Sequence, residues 1–204
     1  MENPQKTPHS SDAKNAIDAL LNNTEVLVAV TKVFGCSVKW LEKNDWMDKA
    51  AIQWAKQPVT LDTISVSGVA DLVKNNSNKL RLINVWATWC GPCTAEFPDF
   101  ITLSRIYKER DFEFISISAD DSEKKDKALK FLKNNQSSGT NYLFTEDDKY
   151  KLIEAIDPQW QGALPYTLLV EPGGKIVYSK QGAIDAEEFR KIIFNDSFIG
   201  RLYK

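Results

Sequence analysis

LRLINVWATWCGPC, residues 80–93, is the stretch on which the fold turns. Leu82, Ile83, Val85 and Trp86 form the near-continuous apolar run of a strand buried on both faces. Cys90-Gly91-Pro92-Cys93 follows where a helix would begin. That position has a chemical reason. The thiolate is the reactive form of cysteine, and a free thiol, with a pKa near about 8.5, carries little of it at neutral pH. The unpaired N–H groups of a helix's first turn, and its positive dipole end, stabilise the thiolate. Each unit of pKa lowering corresponds to about 1.4 kcal/mol of preference for the charged form. Two intervening residues place the second sulfur within disulfide reach of the first. Gly91 lets the chain turn, and Pro92 suits a first-turn position that needs no N–H.

Outward from this stretch, strand-like runs recur at 112–118, 142–144, 166–170 and 175–178. Helical spacing occupies about 65–75, 91–110, 122–135, 147–156 and 185–195. Glu171-Pro172-Gly173-Gly174-Lys175 joins two strands with hairpin turn chemistry. The alternation of strand and helix predicts an α/β fold with a mixed central sheet flanked by helices, parallel except for a hairpin at one edge. The charge-dense segment 120–133 reads as a solvated helix anchored by Leu129 and Leu132.

Before residue 58 the pattern differs. Residues 1–11, with Pro4, Pro8 and the single histidine His9, read as a flexible tail. Residues 12–57 read as a helical extension: a helix broken near Asn22–Asn23, a fresh start at Thr24, and a helix over 45–56 ended by Pro58. The opening MENPQKTPHSSDAKN has no basic region followed by an apolar core, so it is not read as a secretory signal.

Composition narrows the function. The chain has 204 residues, 26 Lys plus Arg against 28 Asp plus Glu, and 43% hydrophobic residues. A net charge of −2 gives no support for nucleic-acid binding, and no run approaches the apolar length of a transmembrane span. Three cysteines exclude a disulfide-scaffold miniprotein. A zinc site would need two further ligands beside Cys90 and Cys93, and only Cys36 and His9 are left, so no metal and no cofactor is expected. With His9 in the tail, Ser–His and Cys–His nucleophile pairs drop out. Thr94 after Cys93 excludes c-type haem attachment, which needs His there.

WATWCGPC resembles the active site of the thioredoxin superfamily, and the wider CGPCTAEFP at 90–98 resembles the TlpA/ResA-type thiol–disulfide oxidoreductases with a redoxin domain. The resemblance covers about residues 58–199. It implies a thioredoxin-like domain over 58–204 with a helix–strand insertion at about 121–145. It also implies a redox-active Cys90–Cys93 pair in which Cys90 attacks and Cys93 resolves the mixed disulfide. Pro98 matches the helix-kinking proline, and Pro165 the cis-proline that faces the CxxC. Leu164 then offers its backbone to an extended substrate, while Gly182 lies in the loop completing the rim and Trp89 shields Cys90.

Asn84 stands where cytosolic thioredoxin has a buried Asp, and an amide cannot accept the Cys93 proton. Glu96, on the same helical face as Cys93, matches a glutamate that tunes cysteine chemistry in TlpA/ResA-type proteins; the alternative is an exposed helix carboxylate. Trp86 reads as core beneath the active-site helix, whereas Trp160 and Tyr166 are divided between groove and packing. The implied partners are protein disulfides or dithiols and an upstream redox donor. The implied setting is extracytoplasmic, periplasmic or membrane-associated, with a cytoplasmic one as the alternative.

Two other functions stay open on sequence. A peroxiredoxin-type peroxidase uses Pro-x-x-x-Thr-x-x-Cys, but Thr88 is two residues before Cys90 and the upstream proline is absent. A binding module with a structural disulfide is the other. DAKNAIDALLNN with VTKVFGCSVKW resembles the tail of another thioredoxin- or peroxiredoxin-like domain, and Cys36 within it is left without a role.

Overall fold

The computed structural model describes residues 11–30 and 44–199; His9, Cys36 and the expected tail up to Ser10 lie outside the described residues. By internal contacts the chain divides into Met1–Trp46 and Met47–Lys204. In the first unit, α1 spans Asp12–Leu21. The helix start expected at Thr24 is absent, because Thr24 closes α1 instead. Its backbone N–H donates to the Ala19 carbonyl at 2.9 Å, and Asn23 adopts a left-handed φ of 51°. Residues 24–30 form no regular element.

α2 spans Asn44–Ala55, across the boundary between the two units. The Arg105 guanidinium and the Lys108 ammonium lie over the Trp54 ring, 5.1 and 4.7 Å from its centroid.

Six strands then make one sheet: β1 Asp62–Ile64, β2 Leu80–Trp86, β3 Phe112–Ser118, β4 Thr140–Phe144, β5 Tyr166–Glu171 and β6 Lys175–Gln181. Their order is β1-β4-β3-β2-β5-β6; β1 through β2 pair in parallel, and β5 and β6 antiparallel. Only β1 escaped the sequence pattern, and three residues cannot establish a period. β4 enters between β1 and β3 as an interior strand. Asn141 fixes it there: its buried side chain accepts from the Ser116 and Ser137 hydroxyls at 2.8 Å and donates to the Thr60 carbonyl at 3.1 Å.

The helices α3 Val66–Lys74, α4 Gly91–Ile106, α5 Lys125–Asn134, α6 Tyr150–Ile156 and α7 Ala186–Asn195 cover the sheet. Two cores result. Leu82 and Trp86 pack with Phe97, Phe100, Leu132 and Phe189 on the α4, α5 and α7 side. Ile83 and Val85 pack with Ile117, Phe144 and Leu152 on the α3 and α6 side. All seven residues of β2 are buried, which is why its run is unbroken. At the β5–β6 turn Gly174 has φ 86°, and a Cβ there would come within 3.2 Å of the Lys74 carbonyl oxygen. Among the described residues no helix is long and apolar enough to cross a membrane.

Candidate active site

The parallel pairing of β2 with β3 and the antiparallel pairing with β5 gather the site at one end of the sheet. Trp86, the last residue of β2, pairs with Ser118, and Val85 pairs with Tyr166, the first residue of β5. Tyr166 pairs in turn with Gln181 at the end of β6. The segments 87–90, 164–165 and 182–184 therefore leave the sheet together.

Cys90 is the N-cap of α4, with extended backbone, and its sulfur accepts from the Cys93 backbone N–H at 3.2 Å. Gly91 and Pro92 occupy the first turn, both exposed. Cys90 and Cys93 are disulfide-bonded, Cα atoms 5.3 Å apart, and both are buried. The chain is thus in its oxidised form. Pro98 lies inside α4, where it withholds one helical N–H.

The loop before Cys90 is held by a residue the sequence did not single out. Asp120, fully buried just past β3, accepts from the Thr88 N–H at 2.9 Å, the Thr88 hydroxyl at 2.8 Å and the Ser118 hydroxyl at 2.9 Å. Asp120→Ala would leave those donors without their acceptor. A loss of about 2 kcal/mol or more is expected in urea unfolding, against a smaller loss for Asp120→Asn.

The rim is tied down at two points. The Leu164–Pro165 peptide is cis, and the Pro165 carbonyl accepts from the Gly182 N–H at 2.8 Å, with Gly182 at φ 88°. Leu164 is half-buried and packs against the core that contains Cys90 and Cys93. Two residues past Gly182, the Ile184 N–H donates to Glu96 Oε2 at 2.8 Å. Glu96 is buried at 6% exposure, which removes the exposed-carboxylate alternative. Its Oε1 is 3.4 Å from the Asn84 amide nitrogen, which also donates to Thr167 Oγ1 at 3.1 Å. Burial raises the Glu96 carboxyl to about 7, with Asp99 adding to the rise; the Ile184 and Asn84 hydrogen bonds and the Lys180 charge oppose it.

Trp86 is core, fully buried against Phe97 and Phe131, with ring centroids 5.1 and 4.8 Å away. Trp89 next to Cys90 is 62% exposed, a large apolar surface beside the disulfide. Trp160 and Tyr166, divided between groove and packing on sequence, stack on each other in the core on the opposite face of the sheet.

A disulfide at a strand–helix junction, capped by the helix and bordered by a proline loop, defines a thioredoxin-like redox protein. Residues 58–193 match the redoxin family, and the chain belongs to it. The thiol-disulfide oxidoreductase ResA of Bacillus thuringiensis (strain Al Hakam) is 30% identical over 137 residues, which are 67% of this chain and 75% of that one. The ResA of Bacillus subtilis (strain 168) is 32% identical over 95 residues, 47% of this chain and 49% of its own. In fold, the chain matches the solution structure of a thiol:disulfide interchange protein from Bacteroides sp. (TM-score 0.52, 22% identity, 70% of this chain and 88% of that one). It also matches a DsbF homologue from Corynebacterium diphtheriae (TM-score 0.52, 16% identity, 59% and 74%). Family and CxxC disulfide together make the chain a thiol–disulfide oxidoreductase.

Proposed function

We propose that the chain reduces disulfides in partner proteins, with Cys90 as nucleophile and Cys93 as resolving thiol. One contact carries this reading: the Cys93 N–H aimed at the Cys90 sulfur at the start of α4, which stabilises a thiolate at Cys90 once the pair is reduced. The Cys90 thiolate attacks one sulfur of the partner's disulfide. That S–S bond breaks, the partner's other sulfur leaves as thiolate and takes a proton, and a Cys90–partner disulfide forms. Cys93 then loses its proton and attacks the Cys90 sulfur, releasing the second partner thiol and leaving the Cys90–Cys93 disulfide. Two electrons and two protons pass to the partner, and an upstream dithiol donor returns the pair to its reduced form.

Glu96 is the proton handler in this scheme. Asn84 cannot accept a proton, whereas a carboxyl raised to about 7 exchanges one near neutrality. Leu164 and Pro165 form the platform along which an extended partner segment lies, with Trp89, Gly91, Pro92 and Gly182 around it. The TlpA/ResA-type resemblance supports an extracytoplasmic setting, where disulfides form and a reductant has substrates. The division into a tail over 1–11, a helical extension over 12–57 and a redox domain over 58–204 belongs to the same proposal.

The test is reduction of insulin by the dithiol form, followed as loss of free Cys90 and Cys93 thiols in step with insulin thiols gained. No insulin reduction would overturn the reading. Glu96→Gln is expected to remove an inflection near pH 7 from the turnover profile. The same variant has a stability signature. A carboxyl whose folded pKa lies above its unfolded value stabilises the fold fully below the unfolded pKa, and that contribution is lost as pH rises from about 4.5 to about 7. Measured by urea midpoint, Glu96→Gln should therefore gain on the natural protein across that window. Parallel curves for the two proteins would contradict the buried, raised carboxyl.

A further inference from the structure

The segment that delivers Leu164 and Pro165 has no regular structure between α6 and β5, yet it is tied at both ends. At its start, Asp157 Oδ2 accepts from the Tyr166 hydroxyl at 2.7 Å, and Tyr166 is the residue directly after Pro165. In its middle, the Trp160 ring lies flat on the Tyr166 ring, with centroids 4.7 Å apart and planes 11° from parallel. The Trp160 indole N–H donates to the Ala163 carbonyl at 2.9 Å, one residue before Leu164. The loop is thus folded back on one aromatic side chain and bonded just before and just after the platform.

Two further observations separate this clamp from the sulfur chemistry. Trp160 and Tyr166 belong to the core on the α3 and α6 side of the sheet, whereas Cys90, Cys93 and Phe97 belong to the core on the other side. A cavity of about 250 Å³ also opens beside the clamp, with Asp157, Trp160 and Tyr166 facing Ser179, Lys180 and Gln181 of β6. Burial first, and then the Asp157 bond, push the Tyr166 hydroxyl up to about 12, so it remains a donor throughout the range in which thiols titrate.

We propose that Tyr166, held by Asp157 and backed by Trp160, is the positioning residue of the Leu164–Pro165 platform, and that it governs recognition of extended disulfide-bearing polypeptides without acting on the Cys90–Cys93 couple. This rests on the platform reading above. When the hydroxyl tether is lost, the loop spends only part of its time in the binding conformation. Apparent affinity for an extended partner falls by that fraction, while chemistry after binding is unchanged. A small disulfide that makes no backbone contacts does not register the difference.

The test compares Tyr166→Phe, Asp157→Ala and Asp157→Asn with the natural protein on two probes, insulin and 5,5′-dithiobis(2-nitrobenzoic acid). For Tyr166→Phe and Asp157→Ala, KM for insulin is expected to rise about threefold to tenfold, the range set by one partly buried hydrogen bond. Insulin kcat, the small-disulfide rate and the reduction potential should stay within about twofold of the natural protein. Asp157→Asn, whose amide oxygen still accepts from the hydroxyl, should restore KM. An unchanged insulin KM in both disrupting variants overturns the proposal, as does an equal loss on both probes. If the natural protein reduces neither probe, the thiol–disulfide reading itself fails, and that result is distinct because it appears before any substitution.

Discussion

Cys90→Ser is expected to abolish disulfide reduction, with turnover falling on the order of a thousandfold or more. A serine hydroxyl at the N-cap of α4 accepts the Cys93 N–H as the sulfur does, so helix and loop survive while the nucleophile is gone. Cys93→Ser should behave differently. Its Cys90 still attacks, but nothing resolves the intermediate, so the variant ends as a covalent, dithiothreitol-sensitive adduct with the partner. Non-reducing electrophoresis after mixing with oxidised insulin separates the two: no adduct for Cys90→Ser, and up to one adduct per chain for Cys93→Ser. With Cys36 also replaced by serine in both variants, adducts from the Cys90→Ser protein would assign the attack to Cys93 and invert the roles.

Phe97→Ala should produce the largest loss of stability. The ring is fully buried in α4, with centroids 5.1 Å from Trp86, 6.0 Å from Phe114 and 5.2 Å from Phe131. Removing it costs the transfer of the ring from water and leaves a cavity that these neighbours only partly fill, about 3–5 kcal/mol together. Small domains have total stabilities of about 5–15 kcal/mol, so the urea midpoint should fall steeply. Phe97 also belongs to the same core as Cys90 and Cys93 at the start of α4. A loss below about 1 kcal/mol would mean that the aromatic cluster is not what seats the active-site helix.

The sequence and the fold agree most closely where burial on both faces left a long signature. β2 and β3 were readable over their full lengths because nine of their fourteen side chains are apolar and nearly all are enclosed. The CxxC was readable because spacing and position carry the chemistry. Asp120 was not: an Asp after a strand reads as a loop residue, and only the register of β3 against β2 brings it to Thr88. Glu96 was legible as a helix-face residue but not as a buried one, since its burial comes from Ile184 and Asn84, which are distant in sequence. Thr24 misled because a threonine before apolar residues suits a helix start, while here it serves the end of the preceding helix.

The most direct test is the reduction potential of the Cys90–Cys93 couple, measured by equilibrating the protein in dithiothreitol redox buffers and quantifying both thiols. A protein-disulfide reductase should give a value between about −270 and about −200 mV. A value near about −120 mV would make the chain an oxidant, and one below about −300 mV would make the disulfide a structural crosslink. The first result contradicts the proposed direction of electron flow, and the second contradicts turnover of the disulfide by an upstream dithiol donor.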